Sequence, residues 1–133
     1  MAVDHSDVLE RFSEWINTGV IPEAVLATDF EMVNATTAVT DNVYYGHEGV
    51  QRWRQDLFEA FKEGVRFEYR VEGTAPETAV IRCRIIGEGS ASSAPIDLRW
   101  MAVLSIRDGQ VTRAAGFTSR DEAFREAGLE PPD

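Results

Sequence analysis

One cysteine, Cys83, and two histidines, His5 and His47, are all the sequence has of these residue types, so it can build neither an internal disulfide nor a typical zinc shell. Long apolar runs are missing too: stretches such as Ile85-Ile86 and Val103-Leu104 are far too short to span a bilayer. The N-terminus, Met-Ala-Val-Asp-His-Ser-Asp, is acidic and polar and lacks the basic-then-apolar order of a signal peptide. Together with the lone thiol, this makes the cytoplasm the expected compartment. Basic residues are outnumbered, 13 Lys and Arg against 23 Asp and Glu, for a net charge of −10. Such a balance argues against nucleic acid and against an anionic membrane surface as partners, and reads as a device for solubility. No internal repeat, Gly-rich phosphate loop or nucleophile elbow interrupts the chain, and no cofactor or metal is expected.

What is present fits one α+β domain over residues 1–129, with Glu130-Pro131-Pro132-Asp133 reading as a disordered tail. An apolar fraction of 44% in 133 residues suffices for a real core without staples. Val8, Leu9, Phe12, Trp15 and Ile16 share one helical stripe that Gly19 is placed to end, and Pro22 suits a short second helix through Leu26. A strand is expected at about Met32 to Val39, then a loop holding Tyr44, Tyr45 and Gly46. A third helix is expected from His47 to Lys62, stopped by Gly64. Residues 65–72 alternate strictly, and 79–86, 96–106 and 110–118 read as further strands. Gly87 to Pro95 is read as the loop joining the middle two, and Asp108-Gly109 as the tight turn before the last. Ser119 with Glu122 forms a capping box for a closing helix before Gly128.

Matching apolar sets across these strands predicts the faces. Phe67, Tyr69, Ile81, Cys83, Ile85, Ile96, Leu98, Trp100, Leu104, Val111, Ala115 and Phe117 are expected to point inward, under the helices. Arg66, Glu68, Arg70, Glu72, Arg82, Arg84, Asp97 and Arg99 form a charged outer half. Met101, Val103, Ala114, Gly116 and Thr118 form a less polar outer half, a candidate interface for a homodimer.

In five segments the chain resembles the nuclear transport factor 2-like superfamily and, within it, the SnoaL-like (polyketide cyclase-like) branch. They are Leu26-Ala27-Thr28-Asp29-Phe30, Tyr45-Gly46-His47-Glu48-Gly49-Val50, Gly87-x-Gly89 with Ser92-Ser93, Ser105 to Val111, and Phe117 to Leu129. The resemblance implies a cone-shaped, highly curved antiparallel sheet wrapped by N-terminal helices, with a pocket between them, and a homodimer. It does not imply one reaction, because the fold carries several chemistries. A ketosteroid-isomerase site would need a carboxylate base, a Tyr and a protonated Asp. The corresponding positions are near Asn34, Phe12 and the segment Leu98 to Trp100, none of which supplies the group. An epoxide-hydrolase Asp-Arg-Asp set is likewise incomplete around Arg82-Cys83-Arg84. SnoaL-type cyclisation would require Asp97, read as outward, to turn inward.

The residues left for a site are mostly aromatic. Trp15, Asn34, Tyr45, Trp53, Tyr69, Trp100, Arg113 and Phe117 are the expected ligand-binding set, for a small apolar or aromatic organic molecule. Arg113, the one charge on the expected inner face, would hold a carboxylate, enolate or phenolate; at a strand end it would instead reach solvent or an acid. If chemistry occurs, it would be proton transfer beside a carbonyl. Arg113 or Tyr45 would stabilise the charge, and His47 or Asp29 would relay the proton. A non-catalytic carrier or sensor using the same pocket, and an association module using the charged half of the sheet, are the competing readings.

Overall fold

Leu9, Phe12, Trp15 and Ile16 recur on one helical face and are buried by α1 (Ser6–Thr18). Gly19 ends that helix in the left-handed conformation, φ 82°, and its N–H donates to the Trp15 carbonyl at 2.7 Å. The structure is a computed structural model that describes residues 5–34, 43–59, 61, 65–89 and 94–131.

The short helix expected from Pro22 is only one turn. The N–H groups of Val25 and Leu26 both donate to the Pro22 carbonyl, at 2.9 and 3.0 Å. Leu26 then leaves into β1 (Leu26–Val33), because it pairs with Val111. The first strand thus begins at Leu26 rather than Met32, and the expected stretch over 35–39 lies outside the described residues. Where a loop was expected, β2 (Val43–Tyr45) pairs antiparallel with β1; its β-branched and aromatic residues suit a strand once an edge is offered.

The next helix, α2 (Gly46–Phe58), is shorter than the pattern to Lys62 implied. Phe61 is drawn off to bridge Gly89, where it is buried. Gly87 makes room for it, since an added Cβ there would stand 2.9 Å from the Phe61 ring. Lys62 and Gly64 lie outside the described residues.

The meander consists of β3 (Arg66–Ala75), β4 (Thr78–Glu88), β5 (Pro95–Arg107) and β6 (Gln110–Phe117). Of the expected loop from Gly87 to Pro95, residues 90–93 lie outside the described set, and β4 itself continues to Glu88. Both residues of Asp108-Gly109 take positive φ, 52° and 76°, as a tight hairpin turn requires. The six strands form one sheet in the order β2-β1-β6-β5-β4-β3, with β1 and β6 parallel and the other pairs antiparallel. Register shifts in the β1–β6, β3–β4 and β5–β6 pairs bend the sheet, and α1 and α2 pack into its concave side. The closing helix α3 (Arg120–Ala127) is capped by Ser119, whose side chain accepts the Glu122 N–H at 3.4 Å.

One irregularity reassigns a whole strand. Ser105 pairs with Arg113 and Ile106 with Val111, so Thr112 is an extra residue on β6. Val111 faces the concave core as expected, but beyond the bulge the alternation reverses. Ala114 opposite Leu104 and Gly116 opposite Ala102 face inward, while Arg113, Ala115 and Phe117 face outward, against expectation. The less polar patch is therefore not an open face. Met101 and Val103 are covered by Ala123 and Phe124 of α3, in a second cluster that also holds Val80 and Phe117. The segment read as a dimer interface is in this respect filled by the chain's own helix.

The charged residues do lie together on the outer half, but the cross-strand partners of opposite sign expected for them are only partly found: Glu68 is opposite Arg84. Arg70 is opposite Arg82 and Arg84 is opposite Arg99, pairs of like charge that repel. Glu72 lies between the first two, 2.8 Å from Arg82 and 3.8 Å from Arg70, and also receives Arg120 at 3.4 Å. Asp97 does the same for Arg84 and Arg99.

Candidate functional site

β5 outruns its neighbour. The β5–β6 register begins at Met101 opposite Phe117, so residues 95–100 have no β6 partner among the described residues. On the concave side of the same two strands, Ala102, Ala114 and Gly116 are too small to fill the space under α2. The result is a cavity of about 310 Å³, open at one end, at the height of the β6 terminus.

Its walls come from four elements. Met32 and Val33 close it from the end of β1, Trp53 and Leu57 from α2, and Leu98 and Trp100 from β5. Asn34 sits just beyond β1, where its side-chain oxygen accepts the Trp53 indole N–H at 2.8 Å and holds the ring in place. Trp100 is backed by Phe67 at 6.1 Å between ring centroids, and Trp53 by Trp15 at 5.9 Å. A second cavity of about 20 Å³ shares Trp53, Trp100, Ala102 and Met32 with the first and reaches Cys83. Burial pushes the Cys83 thiol up, so it stays protonated at neutral pH. Leu98 is 41% exposed and Trp100 half-buried, which leaves apolar wall open to water at the mouth.

Of the expected ligand-binding set, the structure brings Asn34, Trp53 and Trp100 to the cavity. Trp15 is fully buried behind Trp53 and belongs to the core. Tyr69 is half-buried on β3, away from the cavity, and its hydroxyl donates to Glu10 at 3.1 Å. Burial, and then Glu10, raises its phenol above the usual range. Arg113 and Phe117 are displaced by the bulge. Arg113 lies on the convex side between Glu31 at 3.8 Å and Glu126 at 3.9 Å, and Phe117 packs against the α3 cluster. An inward guanidinium at position 113 would have needed an unbroken β6 ladder.

The candidates for proton relay do not converge either. His47 Nε2 lies 2.9 Å from the Leu26 carbonyl, a contact that ties the start of α2 to β1. Asp29 is exposed on β1 and Tyr45 is 65% exposed at the end of β2; neither lines the cavity. Asp97 faces outward, clamped by Arg84 and Arg99. Hydrogen bonds from Arg84, and then Arg99, hold its carboxyl well below the usual carboxylate range. Among the described residues, the cavity wall carries no carboxylate or imidazole, and no three His, Cys, Asp or Glu side chains are placed to hold a metal ion. No described helix is long and apolar enough to cross a membrane.

Several wall residues went unread in the sequence. Ala102, Ala114 and Gly116 mark the cavity by their smallness, but only once the bulge is placed. Arg99 and Thr118 also border it; like Ala114 and Gly116, they are residues that the alternation predicts for the outer face.

A family model described as the SnoaL-like domain matches residues 9–114. Among solved structures, an NTF2-like protein from Anabaena variabilis superposes with a TM-score of 0.67 at 18% identity, covering 87% of each chain. TerC, co-crystallized with polyporic acid, gives 0.71 at 16% identity over 92% of this chain and 95% of its own. A protein with a ketosteroid isomerase-like fold from Catenulispora acidiphila, in complex with trimethylamine, gives 0.67 at 17% over 93% and 94%. At these identities the likeness is one of fold alone. No curated protein matches the sequence.

Proposed function

The chain belongs to the SnoaL-like domain family, and from that premise we propose that it binds a small aromatic molecule in the cavity under α2, as a carrier or sensor rather than by proton transfer. The observation that carries this is the cavity itself, about 310 Å³ with Trp53, Trp100, Leu57 and Leu98 on its walls. An engineered apolar cavity of roughly 150 Å³ stays dry and takes up benzene. Twice that volume suits two fused rings, a much smaller guest than a four-ring polyketide. Indole faces already stiffened by Asn34 and Phe67 offer stacking at little further entropic cost. The carrier role is favoured over chemistry because His47, Asp29 and Tyr45 are occupied or distant, and the described wall holds no base to take their place.

Two of the three tryptophans border the cavity, so their fluorescence reports its filling. Titration with naphthalene-2-carboxamide should give a saturable change. Ala102→Phe, which places a ring on the cavity floor, should abolish that change while leaving the circular dichroism intact. A wild-type protein that shows no saturable response, or a variant that binds as the wild type does, would sink the proposal.

A further inference from the structure

Arg99 is the single charged residue among those lining the cavity, and it sits where β5 runs past the end of β6. Its present partner is Asp97, reached by Nε at 3.3 Å and Nη2 at 3.0 Å. That carboxylate is already held from the other side, in the two-pronged manner guanidinium favours, by Arg84 through Nε at 3.0 Å and Nη2 at 2.9 Å. Glu68, the other acid near this group, approaches Arg84 only to 3.8 Å and is also paired with Arg66 at 3.2 Å. Two guanidinium groups therefore share one close carboxylate, and a positive charge is left over at the cavity mouth.

We propose that the ligand is an aromatic carboxylate, its rings between Trp53 and Trp100 and its acid group received by Arg99. This rests on the cavity reading above and adds the chemical class of the guest. Arg99 points outward beside Asp97, so it would meet an incoming carboxylate by turning round the edge of β5 that β6 leaves unpaired beyond Met101. Asp97 is not stranded, because Arg84 keeps that group paired. With 66% of its side chain exposed, Arg99 is free to move, and its exposed pair with Asp97 is of the kind that contributes little. Thr118, also on the lining and exposed, supplies a second donor in its hydroxyl. The chain as a whole, at −10, repels anions at long range. Selection of an acid therefore falls to direct hydrogen bonds at the mouth rather than to steering.

The test compares naphthalene-2-carboxylate with naphthalene-2-carboxamide, equal in shape and different in charge, by tryptophan fluorescence at low salt. The carboxylate should bind about tenfold more tightly, the ratio that 1.4 kcal/mol sets. Arg99→Gln should erase the preference and leave the carboxamide affinity unchanged. Asp97→Asn removes the internal competitor, and should tighten the carboxylate severalfold without affecting the carboxamide. Equal binding of the two ligands to the wild type, or a preference that survives Arg99→Gln, overturns the assignment while the cavity reading stands. If neither ligand binds, the cavity reading falls and this inference falls with it.

Discussion

Asp97 is held by four hydrogen bonds from two guanidinium groups, Arg84 first and Arg99 second, and its carboxyl is depressed accordingly. A group whose folded value lies below its unfolded one stabilises the fold fully above the unfolded value. That contribution fades as pH falls below the ordinary aspartate value of about 3.9. Carboxyl-carbon NMR of the folded protein should place the Asp97 midpoint below that value, and Arg84→Gln should raise it. A midpoint at the ordinary value in the wild type would mean that the clamp does not hold in solution. The outward orientation of Asp97 was legible in the sequence from the strict alternation of β5, Asp97 and Arg99 pointing one way and Leu98 and Trp100 the other. The involvement of Arg99 with the cavity was not, since it depends on where β6 stops.

At the scale of elements, α3 shows what local signals can and cannot tell. Its start and stop, Ser119 with Glu122 and then Gly128, are written in adjacent residues, and the helix forms between them. What it covers is not local. Phe124 is 1% exposed because it seals Val80, Met101 and Val103 on the convex side of the sheet. Removing the cap with Ser119→Ala should cost about 1 kcal/mol. Removing the seal with Phe124→Ala should cost about 3–5 kcal/mol. Both are read as shifts of the urea midpoint at constant slope. A Phe124→Ala loss no larger than the cap's would mean that α3 does not close the convex cluster. β6 is the counter-case. Its strand character is plain in the sequence, yet the extra residue Thr112 reverses Arg113 through Phe117, and so turns outward both Arg113, the one inward charge expected to hold an anion, and Phe117 of the expected aromatic set.

For the whole molecule, a ligand that binds only the folded chain must raise its stability by mass action. At about 100 times the dissociation constant the gain is about 2.7 kcal/mol. Calorimetry with naphthalene-2-carboxylate should therefore show a melting temperature that climbs with ligand concentration in the wild type and stays flat in Ala102→Phe. An equal climb in both would place binding somewhere other than this cavity.

The sequence by itself determined the α+β class, the order of the three main helices and the four-strand meander, the tight turn at Asp108-Gly109 and the capping of α3. These rest on periodicity and on turn chemistry between near neighbours, which the chain carries wherever it folds. It also marked Asn34, Trp53 and Trp100, one polar and two large aromatic residues on segments that converge at the cavity. Only the tertiary structure decided where α2 stops, that β1 starts at Leu26, and that Arg113 belongs outside while Arg99 borders the cavity. Each of these is settled by a partner distant in the chain: Gly89 for Phe61, Val111 for Leu26, Ser105 for the bulge. A strand's alternation can be read locally, but the side on which it resumes after an inserted residue is set by the strand it pairs with.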